Sequence, residues 1–332
     1  MIYLKNFSDL IISYGNNYRL KNVLKKAKTN QSIKIVFLGA SVTAEPFEEH
    51  LSTLSFTSLF NDYFNRRFGK STFVNAGICG SNTVTGLYRT KEEVLIHDPD
   101  IVFIDFGISD FATPQLMECY EGMLRMILDH GCAVIPLYMT LKSFTNSQAQ
   151  KIPYDIHYSL PVLSIRDILR HKINNGEWTW EDYSSDYAHP TNKGHEFISE
   201  CIAHFFEQTD SAKHDPEYHL PPPMTTSVYE NVISESNLKI QLSGNNVIEK
   251  SFFCQRTIIF FYIHSDNRYG CIDIFVDGKY QKTIDGYNTT GWGNRESDFI
   301  FSSNKPGNHT FTLKMSQGDK NKIFDLDGFC YC

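Results

Sequence analysis

The sequence has no long apolar run. No stretch approaches the ~20 residues that a membrane-spanning helix needs. The N-terminus offers only Leu10-Ile11-Ile12, too short for the apolar core of an export signal. Positive charge is not in excess either: 31 Lys+Arg stand against 38 Asp+Glu, a formal charge of −7. A phosphate-backbone partner needs a basic face, so nucleic acid is not expected, and neither is a membrane. The 8 cysteines contain no C-x-x-C pair, which removes zinc-knuckle and thioredoxin-type readings. Scattered as they are, they read as reduced thiols in a cytoplasmic protein. Tryptophan is scarce, 3 residues against 25 Phe and 18 Tyr, so the aromatic supply suits large cores first.

What is present is an ordinary globular composition, 41% hydrophobic and 21% charged over 332 residues, which suggests two domains. Short β-branched runs at residues 33–38, 72–75, 101–106 and 133–138 read as buried strands. Helical patterns alternate with them at residues 56–68, 85–97, 115–129, 165–174 and 194–208. In 115–129, Leu116, Tyr120, Met123, Leu124 and Ile127 recur at three- and four-residue steps and make one apolar face. Strand and helix in alternation predict an α/β fold with a parallel sheet, whose chemistry lies beyond the carboxyl ends of its strands. Residues 1–214 form this expected domain, and residues 215–224, with Pro221-Pro222-Pro223, the expected linker. Residues 225–332 show strands and turn dipeptides but no helix, and predict a β-sandwich or jelly roll. Asp277-Gly278 and Asp285-Gly286 are its expected hairpin turns.

Three pieces of the sequence carry chemistry. After the first strand comes Gly39-Ala40-Ser41-Val42-Thr43, small residues that let the chain turn sharply and leave a hydroxyl exposed. Read alone, Ser41 fits a nucleophile or a helix-capping serine. Asp186-Tyr187-Ala188-His189-Pro190 is the second piece. An imidazole that takes a proton from serine needs a carboxylate on its other nitrogen, and three residues of separation can place the two side by side. The third piece is a place for an oxyanion: the N–H groups of Ser41 and of Gly80, and the block Gly107-Ile108-Ser109-Asp110. Thr43, Glu45, Asp105 and Asp110 read as structural or substrate-positioning, with Asp110 supporting its loop.

Together these blocks resemble the SGNH hydrolases, the GDSL-like esterase superfamily, over roughly residues 20–206. The serine of the first block falls on Ser41 and the glycine of the second on Gly80. The last block, D-x-x-H-P, falls on Asp186, His189 and Pro190. The third, usually G-x-N-D, reads Gly107-Ile108-Ser109-Asp110, so a serine replaces the oxyanion-binding asparagine. The resemblance implies a flavodoxin-like α/β/α sandwich and ester hydrolysis through an acyl-serine, with no metal or organic cofactor. Its nearest flavour is the bacterial carbohydrate esterases, some with a β-sandwich partner domain, which implies O-acetyl groups on a sugar or oligosaccharide as substrate. The G-x-S-x-G elbow of the α/β-hydrolases is absent.

Ser41, Asp186 and His189 are thus the expected catalytic residues, and Ser41, Gly80 and Ser109 the expected oxyanion hole. Asn82 is a candidate to supply the missing donor or to bind substrate. Trp178 and Trp180 either wall a sugar site or pack beneath the Asp186–His189 loop, and Trp292 is the better candidate for exposure. An O-acetyltransferase using the same serine is the alternative activity. A catalytically weak glycan-binding protein is a further one, against which the retained Ser41, Asp186 and His189 argue.

Overall fold

The computed structural model describes residues 7, 9–44, 53–111, 113–225 and 228–332. Contacts divide the chain into two compact units between Thr225 and Thr226. The first begins β1 (Ile11–Ser13), α1 (Tyr18–Lys28), β2 (Ile33–Gly39), α2 (Phe56–Arg67), β3 (Ser71–Gly77), α3 (Thr83–Arg89) and β4 (Ile101–Asp105). It continues through α4 (Pro114–Asp129), β5 (Ala133–Tyr138), α5 (Gln148–His157), β6 (Val162–Ser164), α6 (Ile165–Asn174), α7 (Trp180–Tyr183) and α8 (Asn192–Ser211).

β2, β4 and β5 are buried along their whole length save Lys34, as parallel strands covered on both faces must be. The sheet runs β1-β6-β5-β4-β2-β3, with β2 to β6 parallel and β1 antiparallel on the β6 edge. Counted in chain order, the parallel strands give the flavodoxin-like order 2-1-3-4-5. The order reverses between β2 and β4, and the crevice beyond their carboxyl ends is where such a sheet places its site. Ser55, Thr113, Ser164 and Thr191 cap α2, α4, α6 and α8 by accepting backbone N–H bonds. Phe60 and Phe64 of α2 meet Phe206 of α8 at 4.9 and 6.0 Å, and Phe37 stacks on Phe103 at 4.8 Å. Much of the aromatic content is therefore core.

Two expectations change here. The single helix over 85–97 is α3 followed by a π-helical turn, Thr90–Val94, and a 3₁₀ turn, Leu95–His97. The Thr90 hydroxyl donates to Gly86 O at 2.8 Å and the buried Arg89 reaches Ala76 O, local bonds that compete with the α-helical ladder. Residues 215–224 run along the first unit. Asn17 and Asp215 exchange bonds at 2.8 and 2.9 Å, Arg125 donates to Pro221 O at 2.7 Å, and Met224 N–H donates to Glu121.

The second unit holds β7 (Ile233–Glu235), β8 (Ile240–Ser243), β9 (Val247–His264), β10 (Cys271–Val276), β11 (Lys279–Asp285), β12 (Trp292–Met315) and β13 (Ile323–Tyr331), all antiparallel. The ladder is continuous, β11-β10-β12-β9-β13-β7, with β8 also on β13. The layers of this β module are joined through β9 and β12, strands of 18 and 24 residues. The first part of β9 and the last part of β12 belong with β10 and β11, and their other parts with β13. Both halves close on one core, where Phe252 meets Phe329 at 5.5 Å. Asp277-Gly278 makes the expected hairpin turn, both residues at positive φ, 51° and 74°. Asp285-Gly286 does not: Gly286 N–H donates to Gly270 O and the chain passes on to β12. Pro306-Gly307 forms part of an irregularity inside β12, between Ser302 and Gly307.

Candidate active site

The turn after β2 is built on close backbone packing. A Cβ on Gly77 would overlap the backbone of Ala44, so only glycine lets the end of β3 lie against this turn. Ala40 N–H donates to Asp105 O at 3.1 Å, and the Thr43 hydroxyl donates to Asp105 Oδ2 at 2.9 Å. Both bonds tie the turn to the end of β4, at the point where the strand order reverses. Ser41, between them, is partly exposed.

Ser41 Oγ lies 3.0 Å from His189 Nε2, and His189 Nδ1 lies 2.7 Å from Asp186 Oδ2. The sequence-predicted Ser, His and Asp are thus brought together in one hydrogen-bonded line. Asp186 Oδ1 accepts the N–H groups of Ala188 at 2.7 Å and His189 at 2.6 Å, an Asx-type turn that sets the loop. Partial burial pushes the Asp186 carboxyl up. The bonds from Ala188 N–H, the His189 ring and His189 N–H outweigh it, so the group lies below its ordinary value and stays ionised. That is the state that holds a proton on Nδ1 and leaves Nε2 facing Ser41 as acceptor.

Two anchors lie beneath this loop, one without an expectation and one in the second of its two expected places. Ser184 is fully buried, and its hydroxyl donates to His189 O at 2.6 Å while accepting Asp186 N–H at 3.2 Å. Its only sequence signal is a serine two residues before Asp186. Trp180, expected either to wall a sugar site or to pack beneath the loop, packs beneath it and is 6% exposed. Its indole N–H donates to Asp186 O at 2.6 Å and its ring meets Tyr183 at 5.4 Å. The bond satisfies the one donor of the indole and ties the ring to the loop. Trp178 packs on Phe197 at 4.9 Å, with the Lys193 ammonium 4.6 Å over its ring. Trp292 is 65% exposed in the second unit.

The oxyanion candidates lie on loops tied to the same place. Ile78 N–H and the Ser81 hydroxyl both donate to Gly39 O at 3.1 Å, which binds the Gly80 loop to the base of the Ser41 turn. Gly80 has φ 73°, the left-handed conformation that favours glycine. Among the described residues, neither Ser41 N–H nor Gly80 N–H donates to any acceptor, and the Ser109 hydroxyl has no partner. Asn82 caps α3: its Oδ1 accepts Thr85 N–H at 3.1 Å, so the carbonyl half is occupied and the amide N–H₂ remains available. Thr43, Asp105 and Asp110 are buried. Asp110 accepts Thr83 N–H at 2.9 Å and the Thr83 hydroxyl at 2.7 Å, a loop support. Glu45 lies outside the described residues. Among the described residues Asp105 Oδ1 has no close hydrogen-bond partner, and burial pushes the carboxyl up to about 7 against the Thr43 bond, the Lys151 charge and the Gly107 backbone. His195 accepts Phe56 N–H on Nδ1 at 3.2 Å, and burial lowers its imidazole to about 4, so it stays neutral and structural.

A line of hydroxyl, imidazole and carboxylate beside unpaired N–H groups can activate an alcohol as nucleophile and hold a developing oxyanion. A model of the GDSL-like lipase/acylhydrolase family matches residues 37–197, the span from β2 to α8 that carries Ser41, Gly80, Ser109, Asp186 and His189. Residues 37–197 belong to the GDSL-like lipase/acylhydrolase family. This domain and the arylesterase relative support a carboxylic ester hydrolase. An arylesterase of Vibrio mimicus is 27% identical over 188 residues, 53% of this chain and 90% of that one. Two solved structures extend the likeness across both units. A two-domain esterase active on acetylated mannans, crystallised with mannopentaose, superposes with a TM-score of 0.87 at 22% identity, over 97% of this chain and 96% of that one. A second structure of a two-domain esterase active on acetylated mannans gives 0.86 at 22% identity, over 97% of both. These likenesses concern the fold, including the antiparallel second unit.

Proposed function

We propose that this family member removes O-acetyl groups from a carbohydrate through an acyl-serine intermediate, with Ser41 as nucleophile, His189 as base and acid, and Asp186 as the group that orients it. One observation carries the reading: the line Ser41–His189–Asp186, at 3.0 and 2.7 Å, beyond the strand ends where the sheet order reverses. Ser41 Oγ attacks the ester carbonyl carbon as its proton passes to His189 Nε2. The oxyanion forms against the N–H groups of Ser41 and Gly80, with the Ser109 hydroxyl as a third donor. When the intermediate collapses, the bond to the sugar oxygen breaks and His189 returns the proton to that oxygen. Water then attacks the acetyl-serine through the same base, acetate leaves, and Ser41 regains its proton.

The acetylated-sugar substrate is supported by the fold shared over 97% of the chain with an esterase active on acetylated mannans. The test runs in two steps. Hydrolysis of p-nitrophenyl acetate by wild type and Ser41→Ala comes first, with a drop of about 10⁴-fold or more expected for the variant; equal rates would remove Ser41 from the mechanism. Acetate release from acetylated manno-oligosaccharides, with and without a sugar acceptor, comes second. Release unaffected by the acceptor supports hydrolysis, whereas acetyl appearing on the acceptor assigns the transferase.

A further inference from the structure

Beneath the oxyanion loops the protein buries the ammonium of Lys151. Lys151 of α5 is 1% exposed, and the Asp110 carboxylate it faces is 0% exposed. A lysine ammonium has three donors and no acceptor. Here all three are used: on Asp110 Oδ2, on Thr83 Oγ1 at 3.2 Å and on Phe106 O at 3.3 Å. These acceptors come from two different loops. Phe106 and Asp110 bracket Ser109 in the loop after β4, while Thr83 opens α3 directly after Asn82 and the Gly80 loop. Asp110 itself bridges the two by accepting both the N–H and the hydroxyl of Thr83. The start of α5 adds a third hold, since the Ser147 N–H and hydroxyl donate to Gly107 O at 2.8 and 3.0 Å.

Burying an ion pair is a poor way to gain stability, because desolvation of both charges offsets their attraction, and an apolar pair of similar volume does as well or better. What the pair supplies is geometry: one point from which both donor loops are held at fixed separation. We propose that Lys151 is a positioning residue for oxyanion stabilisation, acting through Asp110, Thr83 and Phe106 on the loops that carry Ser109 and Gly80. The inference rests on the acyl-serine reading above.

The test compares wild type, Lys151→Met, the double variant Asp110→Asn/Lys151→Met, and Ser41→Ala as control. The double variant removes both buried charges, so it carries the same test if Lys151→Met alone does not fold. With p-nitrophenyl acetate, kcat is expected to fall about 10- to 100-fold while KM stays within about twofold, since a displacement of ~1 Å in a donor lowers transition-state binding alone. Phenylboronic acid, whose adduct on Ser41 places an oxygen at the oxyanion position, is expected to bind more weakly by the same factor. A variant that folds and keeps the wild-type kcat overturns the proposal. So does a lowered kcat with unchanged boronate affinity. Should Ser41→Ala match wild type, the acyl-serine reading itself fails; a dead Ser41→Ala beside a fully active Lys151→Met or double variant removes only the role of Lys151.

Discussion

Replacing Asp105 by asparagine tests how the turn of Ser41 is held. The carboxyl is buried at the end of β4, accepts the Thr43 hydroxyl at 2.9 Å on Oδ2 and, among the described residues, has no close hydrogen-bond partner on Oδ1. Burial raises it from the ordinary aspartate value of 3.8 to about 7. An unfolded chain releases this proton near the ordinary value, whereas the folded chain keeps it until about 7, so between the two the folded state binds more protons. Stability therefore falls as pH rises through that window. At about 1.4 kcal/mol per pH unit, the loss attributable to Asp105 reaches about 4 kcal/mol by pH ~8. Asparagine keeps an acceptor for Thr43 and does not ionise. Asp155 is also raised by burial, to about 6, and His195 is lowered to about 4, so each adds its own slope, but these are common to both proteins and cancel in the difference. The assay is urea unfolding followed by tryptophan fluorescence in a Trp292→Phe background, where Trp178 and Trp180 report the first unit alone. The stability difference between Asp105→Asn and Asp105 should move in favour of asparagine by about 4 kcal/mol between pH ~4 and pH ~8. A difference that stays flat with pH refutes the reasoning, because the carboxyl would then ionise alike in both states.

Two further outcomes follow from the site. Ser109→Ala should lower kcat by about 10²-fold if its hydroxyl supplies the third oxyanion donor, and Ser109→Asn should retain activity; an unchanged kcat in Ser109→Ala leaves stabilisation to the backbone N–H groups and the Asn82 amide. Trp180→Phe removes the bond to Asp186 O, so kcat/KM should fall several-fold to the same extent on p-nitrophenyl acetate and on an acetylated oligosaccharide, with a stability loss of about 1–2 kcal/mol. A KM rise confined to the oligosaccharide would instead make Trp180 a wall of the sugar site.

The strands β2 to β5 were legible because each is a compact β-branched run, and the serine turn and the Asp186–His189 loop because each is a short motif at a strand or helix end. The three-residue strands β1 and β6 were not, since nothing in Ile11–Ser13 or Val162–Ser164 is long enough to show a period. α5 escaped for a different reason. Pro153 stands inside it, and the face it buries carries Gln148, Lys151 and Asp155. Charged residues are rarely so enclosed, so a pattern built on apolar spacing passes over them. The same helix supplies the buried ammonium and, through Asp155, an acceptor for the Tyr120 hydroxyl at 2.7 Å and for that of Tyr138. The polar scaffold under the site was thus the least readable part of the chain, and Ser184, whose buried hydroxyl donates to His189 O and accepts Asp186 N–H, belongs to it.

The shared strands of the second unit govern how that unit assembles. β9 and β12 pair from His264 opposite Trp292 to Val247 opposite Lys314, so every rung added away from the first closes a longer loop. The β10–β11 hairpin, turned at Asp277-Gly278, closes locally between them. Folding is expected to begin at that hairpin and at the His264–Trp292 end and to zip outward, slowly, as non-local pairing requires. Because one pair of strands crosses both halves of the core, neither half can open while the other stays closed. Amide hydrogens of Phe252 and Phe261, far apart along β9, should therefore exchange in a single cooperative event.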